Sequence, residues 1–296
     1  MSDFNRSNAQ LFARLDGRPR LDEASFQRLR DLIYKASGIY FDERAVQTLE
    51  RRLRPRLEAL SIESFEHYYL YLQFDRDRRS ELQLALDHVA IHETYFFREE
   101  RALAAFANEI LPEIHERNSV EKVLRVWSAG CSTGEEAYTL AILIHETKLF
   151  ADWRVELTAS DLSARVISEA RAGRYAEKAF RTASDECRRS YFTENSDRTW
   201  TIAEPFRQMV NFGCFNLADS RRFDIFADLD VIFCRNVMIY FDTAARRQTV
   251  AGFHRQLRPG GYLILGASES LITINTPFRL AHLQHDLVYR KEGDRG

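Results

Sequence analysis

The sequence predicts an α/β protein, a largely parallel sheet preceded by a small all-α unit and interrupted by an inserted β-hairpin. Three observations carry that prediction. Residues 123–143, VLRVWSAGCSTGEEAYTLAIL, run from an apolar strand through a glycine-bearing turn into a helix with Ala137, Leu140, Ala141 and Ile144 on one face, the first crossover of a parallel sheet. Residues 20–90 carry helical periodicity throughout. Two further strands are read, Arg154–Asp161, which ends in an acid, and the apolar run Val231–Cys234, which leads into polar residues where a sheet of this kind presents its ligand-binding edge.

Taken in order, residues 1–20 are polar and are expected to be loosely ordered. From Asp22, the residues Phe26, Leu29, Leu32, Ile33 and Ala36 share a helix face that Gly38 terminates. Asp42 reads as the N-cap of a helix through Val46, Leu49, Leu53 and Leu57, which Pro55 should kink or shorten. Phe65, Tyr68, Tyr69 and Leu72 mark a third helix, and residues 79–88 a fourth. The all-α unit is thus placed at 21–90. The stretch 91–118 is placed as a linker with a connecting helix from about 101 to 115. The sheet domain is placed at 119–292, with its insertion at about 173–209. There, Tyr191-Phe192 and Thr199–Ile202 flank a polar turn. The sheet resumes at Val210–Phe212 and Cys214–Leu217 and continues with Val231–Cys234. A helix from Asp242 to Leu257 follows. Pro259-Gly260-Gly261 is expected to turn into the strand Tyr262–Leu265, and Leu287–Tyr289 to form a last antiparallel strand.

The chain has 296 residues, a formal net charge of -2, and 45% hydrophobic and 29% charged residues, an ordinary globular profile. Near-neutral charge gives no global case for nucleic acid or a membrane surface. No apolar run approaches the roughly 20 residues of a membrane helix, and the N-terminus lacks a signal-peptide core. Cys131, Cys187, Cys214 and Cys234 form no C-x-x-C pair, so a reduced cytoplasmic setting is expected. A monomer is expected. Arg51, Arg52, Arg54 and Arg56 give the second helix a basic face, open to two readings: a solvated surface or a dock for an acidic partner.

The turn after the first strand limits its ligand. No Lys follows Gly134, as a phosphate-cradling loop requires, and G-x-G-x-x-G is incomplete. Glu135 and Glu136 open the helix and would repel a phosphate. An uncharged or cationic ligand such as S-adenosylmethionine fits, and so does an ordinary α/β turn built of small residues. Asp161, closing the second strand, can bind ribose hydroxyls or cap the next helix. His92–Glu99 is open to two readings: a linker whose aromatics seal a seam, or a segment that puts Thr94 and Arg98 in the cleft. His254, His282 and His285 lack acid or Cys partners at metal-ligand spacing and read as structural; no metal is expected.

Together HETYFFRE, VWSAGCSTGEEAYTLAI, the acid of TASD, FNL, FCRNVMIYFD and GASES resemble the CheR family, chemoreceptor glutamate O-methyltransferases that use S-adenosylmethionine. The resemblance covers nearly the whole chain. It implies a Rossmann-like S-adenosylmethionine-dependent methyltransferase sheet with a small inserted antiparallel β-subdomain, behind an all-α domain. It also implies methyl-esterification of glutamates in a bacterial chemoreceptor's cytoplasmic helical domain, with S-adenosylhomocysteine as product. Matched position by position, cofactor contacts fall on His92, Thr94, Arg98, Glu136, Asp161, Asn216, Leu217, Arg235 and Asn236. Tyr240 matches a tyrosine near the methyl-transfer centre. Arg98, able to pair with a carboxylate, and Tyr240 are the catalytic candidates. Of Glu135 and Glu136, the second is taken.

The chain departs from the pattern in places. His92 stands where the family commonly has Asn, and one acid follows the second strand where many members have two. TENSDRTW lacks the glycine-rich turn of members that tether a receptor's C-terminal peptide, so tethering is not expected. The alternatives are a receptor-associated module that holds the cofactor without catalysis and a related enzyme of a non-chemotaxis signalling array. A nucleic-acid methyltransferase is disfavoured, because Arg235–Tyr240 holds no N/D-P-P-Y/F motif.

Overall fold

A computed structural model describes residues 19–293; the stretch 1–20, expected to be loosely ordered, lies outside this range but for its last two residues. The chain divides into two compact units, one running to Ala36 and taking in Tyr40–Ala90, the other comprising Ser37–Ile39 and the chain from Ile91 onward.

The first unit is helical. Asp22 receives the Ser25 amide at 2.9 Å and its hydroxyl at 2.8 Å, which holds its carboxyl below the usual range and starts α1 (Glu23–Ser37). Phe26, Leu29 and Ile33 bury its inner face, and Gly38 follows at φ +74. Asp42 caps a short 3₁₀ turn, Glu43–Ala45, by accepting from the Arg44 amide at 2.9 Å; α2 (Val46–Leu60) continues from it. Of the two effects expected of Pro55, a kink or a shortening, α2 is not shortened. Leu49, Leu53 and Leu57, all fully buried, anchor one stripe on both sides of the proline. The helix ends instead at Ser61, in the left-handed region.

Next come α3 (Phe65–Phe74), capped by the Ser64 hydroxyl, and α4 (Arg78–Val89). Between α2, α3 and α4 lies a buried polar cluster. Arg56 grips Glu81 through Nε at 2.9 Å and Nη2 at 2.6 Å, while the Tyr68 hydroxyl donates to Glu81 at 2.7 Å. Burial, the first cause, and Glu81 push the Tyr68 phenol well up. The four arginines read as one basic face therefore differ: Arg56 is consumed by Glu81, Arg54 pairs with Glu50, Arg52 donates to the Val89 carbonyl, and Arg51 is exposed.

In the second unit the connecting helix is interrupted: α5 (Glu100–Ala105), a π turn (Phe106–Ile110) and α6 (Leu111–Arg117). The π turn carries Glu109, which accepts from the Gln284 and His285 amides and meets His285 Nδ1 at 2.7 Å. His285 thus has an acid partner that sequence spacing did not reveal.

The main sheet contains β1 (Val123–Ala129), β2 (Arg154–Asp161), β6 (Val210–Cys214), β7 (Leu229–Cys234), β8 (Leu257–Leu265), β9 (Arg279–His282) and β10 (Leu287–Arg290). Their spatial order is β6-β2-β1-β7-β8-β10-β9. The first five run parallel; β10 is antiparallel to β8 and to β9. The helices α7 (Glu135–Glu146), α8 (Ala164–Ala172) and α11 (Thr243–Gln256) complete the crossovers. The chain leaves β1 toward β2 on one side, while β7 lies on its other side. Their loops diverge and open a crevice at the carboxyl edge.

One expectation about the later strands changes, and one strand is added. Pro259-Gly260-Gly261 lies within β8 rather than turning before it: the pairing with β7 shifts between Leu229 and Val231, a bulge that absorbs the extra backbone. The strand β9 carried no clear pattern and hides in irregular sequence.

One face of the sheet buries Trp127, surrounded by Phe215, Phe223, Phe226 and Phe253, with its indole donating to the Ser160 hydroxyl at 2.9 Å. The insertion is a second sheet of β3 (Arg174–Tyr175), β5 (Trp200–Ile202) and β4 (Phe192–Glu194), in that order, with α9 (Asp185–Tyr191) and α10 (Glu204–Met209). The hairpin was legible; β3 and two helices of six and seven residues were not, being too short to show a period. Arg198, at φ +63, closes the hairpin turn without glycine. Among the described residues no helix is long and apolar enough to cross a membrane.

Removing Glu81 strands Arg56 and Tyr68. Glu81→Ala is expected to cost about 3–5 kcal/mol, read as a shift in the urea midpoint of the helical unit.

Candidate functional site

The turn after β1 is shaped by close approach. Gly130 sits at φ +91, and a Cβ there would lie 2.3 Å from Val237 Cγ2. The amides of Gly130 and Cys131 both donate to the Ser160 carbonyl, at 2.7 and 2.9 Å, clamping the turn to the end of β2. Ser132, at φ +50, ties three segments together. Its amide donates to Asp161 Oδ2 at 2.9 Å, and its hydroxyl to the His92 carbonyl at 3.3 Å. Asp161 Oδ1 also accepts from the Ser163 amide at 3.0 Å. The cap of α8 is Ser163, whose hydroxyl accepts from Val166, so Asp161 is not the helix cap. The Asp161 carbonyl accepts from Phe215 at 2.9 Å, which brings Asn216 and Leu217 to the same edge.

Gly134, at φ +93, opens α7, and the two glutamates that follow part company. Glu135 is buried and accepts from the Thr133 hydroxyl at 2.7 Å. Glu136 turns to the sheet edge, where Oε1 accepts from the Ser128 hydroxyl at 2.7 Å and Oε2 from Arg235 Nη1 at 3.2 Å. Burial pushes Glu136 above its ordinary value, against the pull of the Arg235 charge.

The segment 92–99 is held from the insertion side. Phe96 is fully buried among Tyr175, Phe180 and Phe192; its amide donates to Ala179 O at 2.9 Å, and its carbonyl accepts from the Thr182 hydroxyl. Phe97 and Glu99 both take φ +59. Arg98 donates to the Glu93 carbonyl at 2.8 Å and lies 5.6 Å from the Tyr95 ring centroid. Thr94 is half-buried in this segment.

Arg235, with a side chain 2% exposed, joins these pieces. Its Nη2 donates to the Arg98 carbonyl and sits 3.2 Å from Glu99 Oε2; Nη1 reaches Glu136. Arg235 Nε and Asn236 Oδ1 are buried without a partner among the described residues. Asn236, at φ +60, precedes a 3₁₀ turn (Met238–Tyr240) that sets Tyr240, half-buried. Ser132 thus joins the His92 backbone to Asp161, and Arg235 joins Glu136 to the Arg98 backbone. Asn216 holds the Ala218 amide at 2.9 Å, and Leu217 O accepts from the Thr249 hydroxyl at 3.1 Å.

Two acids that sequence reasoning gave no role emerge. Glu99 adds a contact with the Ala267 amide at 3.1 Å to its pairing with Arg235. Glu269, within the quoted GASES, sits against the Arg235-Asn236 loop. Its signal was an acid just after the end of a central strand.

Residues 92–287 match the CheR methyltransferase, SAM binding domain, and residues 24–90 the CheR methyltransferase, all-alpha domain. Chemotaxis protein methyltransferase 2 of Vibrio cholerae is 33% identical over 273 residues, 92% of this chain and 94% of that one. The chemotaxis protein methyltransferase of Borreliella burgdorferi is 34% identical over 84% of this chain and 88% of its own. Chemotaxis protein methyltransferase 1 of Pseudomonas aeruginosa is 31% identical over 90% and 97%.

Two outcomes follow from the geometry. Gly130→Ala should lower stability by about 1–3 kcal/mol in thermal denaturation, because left-handed strain adds to the contact with Val237. For Glu136, a folded-state value raised above the ordinary 4.5 means that the fold binds the proton more tightly than the unfolded chain. Stability from this group is present at acid pH and is lost as pH rises through the raised value. Melting curves of Glu136→Gln should lack that loss.

Proposed function

The chain belongs to the CheR methyltransferase family and is an S-adenosylmethionine-dependent methyltransferase; from that premise we propose that it methyl-esterifies glutamate side chains of a chemoreceptor's cytoplasmic helical domain. One observation supports the cofactor's placement above the others: Arg235 Nε and Asn236 Oδ1, buried and unpartnered among the described residues at the sheet's carboxyl edge. A buried donor and a buried acceptor on adjacent residues suit a ligand bearing both amino and carboxylate groups. Gly130 lets Val237, next to Asn236, pack directly on the turn after β1, which keeps the two edges together.

In this reading Asp161 faces the ribose hydroxyls, with Asn216 and Leu217 beside the nucleoside. Glu136, next to Arg235, takes the amino group, while Arg98, Thr94 and His92 close the pocket from the segment 92–99. The bound cofactor supplies a methyl group made electrophilic by its sulfonium. The protein's task is then to orient the acceptor and exclude water. A glutamate carboxylate, with an ordinary pKa near 4.3, is already ionised at neutral pH and needs no general base. Alignment of the reactants can account for a barrier reduction on the order of 7–11 kcal/mol. Tyr240 orients the acceptor carboxylate, and Arg98 offers a guanidinium that can hold it. Converting an anion to a neutral ester on a helical receptor changes its charge pattern, which can act as a signalling switch. For docking, the α2 face remains the proposed site, with exposed Arg51 as its leading charge.

The direct experiment is mass spectrometry of receptor cytoplasmic fragments after incubation with the chain and S-adenosylmethionine. A methyl added on glutamate and removed by mild base supports the reading; no added methyl, or one stable to base, overturns it. Asp161→Ala should weaken S-adenosylhomocysteine binding roughly tenfold or more in calorimetry, since each hydrogen bond to a charged group contributes about 1.5–3 kcal/mol. Tyr240→Phe should lower kcat about tenfold and leave that affinity unchanged.

A further inference from the structure

One carboxylate, Glu269, organises the loop after β7 by meeting backbone amides from both sides of a gap. Oε2 accepts from Asn236 at 2.7 Å and from Gly266 at 2.9 Å. Oε1 accepts from Val237 at 3.1 Å and from Ile239 at 3.2 Å. Gly266 immediately follows β8, so Glu269 laces the carboxyl end of β8 to that of β7. The approach leaves no space for a side chain: a Cβ on Gly266 would lie 2.9 Å from the Asn236 amide nitrogen, Asn236 Nδ2 and Glu269 Oε2. An ionised carboxylate offers about four lone-pair sites, and here each meets an N–H.

The residues so held are those with unmet polar atoms. Asn236 takes φ +60, a strained position that persists only when its surroundings fix it. Its Oδ1 and the neighbouring Arg235 Nε are the buried atoms without partners at this edge, among the described residues. Tyr240 follows in the same turn.

We infer that Glu269 is a positioning residue: it presents Asn236 and Arg235 to the cofactor without touching it, by fixing the backbone of residues 236–239. The inference rests on the cofactor reading above, and its test separates the two. The glutamine variant keeps the shape but replaces one acceptor with an NH₂ group that faces amide donors.

Hydrogen exchange and S-adenosylhomocysteine calorimetry are measured on the full chain, wild type and Glu269→Gln. The expected result is amide exchange at Asn236, Val237 and Ile239 faster by tenfold or more, with β1 protection unchanged. Affinity for S-adenosylhomocysteine should fall at least tenfold. Asn236→Ala should be coupled to it, the double variant losing little beyond the worse single one. Gly266→Ala, which presses on the same contact from the other side, should give the same pattern and serves if Glu269→Gln does not fold. Unchanged exchange overturns the inference. Faster exchange with undiminished affinity also overturns it, leaving Glu269 a structural tie alone. A wild type that does not bind S-adenosylhomocysteine overturns the cofactor reading, and this inference with it.

Discussion

The second unit depends on a guanidinium with almost no solvent. Arg235 is 2% exposed and lies between Glu136 and Glu99, each 3.2 Å away. Desolvating such a group is unfavourable by several kcal/mol, and a single partner seldom offsets that cost. Two carboxylates and the Arg98 carbonyl do so here. The same contacts connect three segments distant in sequence: the strap of residues 92–99, the first turn of α7 and the end of β7. Paired charges over-determine the positions of the loops around them, which explains how Phe97, Glu99 and Asn236 can all stay at positive φ.

The cluster also sets the electrostatic character of the edge. Glu99 and Glu136 face one arginine, and their excess negative charge suits a cationic ligand better than a phosphate. In the sequence, the missing lysine after Gly134 and the two acids that follow it point the same way. Of those acids, Glu136 turns to the sheet edge, whereas Glu135 turns back on Thr133. Facing direction follows from helix geometry: neighbouring positions lie about 100° apart, so one of two adjacent acids points to the strand ends and the other away from them.

Much of the fold was legible because its strands and longer helices are periodic. β1 and β7 read as apolar runs ending in polar residues, β2 as a strand ending in an acid, and α1 showed its stripe, though Leu32 and Ala36 are only half-buried. What hid had physical causes. Pro55 is tolerated because a buried leucine stripe outweighs a lost hydrogen bond. The bulge in β8 makes a turn signal of Pro259-Gly260-Gly261 misleading, since bulges and turns both favour glycine. The π turn at Phe106–Ile110 adds one residue to an otherwise regular pattern. At the site, side-chain chemistry singled out Arg235 and Asn236. Glu99 and Glu269 escaped because they act on backbone amides and on another side chain, and a sequence does not mark such targets.

The central claim is that the Arg235-Asn236 edge is where S-adenosylmethionine is held. A structure of the chain with S-adenosylhomocysteine bound tests it most directly. Arg235 Nε and Asn236 Oδ1 should each acquire a partner, from the ligand or from a water bound to it, with Asp161 at the ribose. A ligand seated elsewhere, with both atoms still unpartnered, would contradict it.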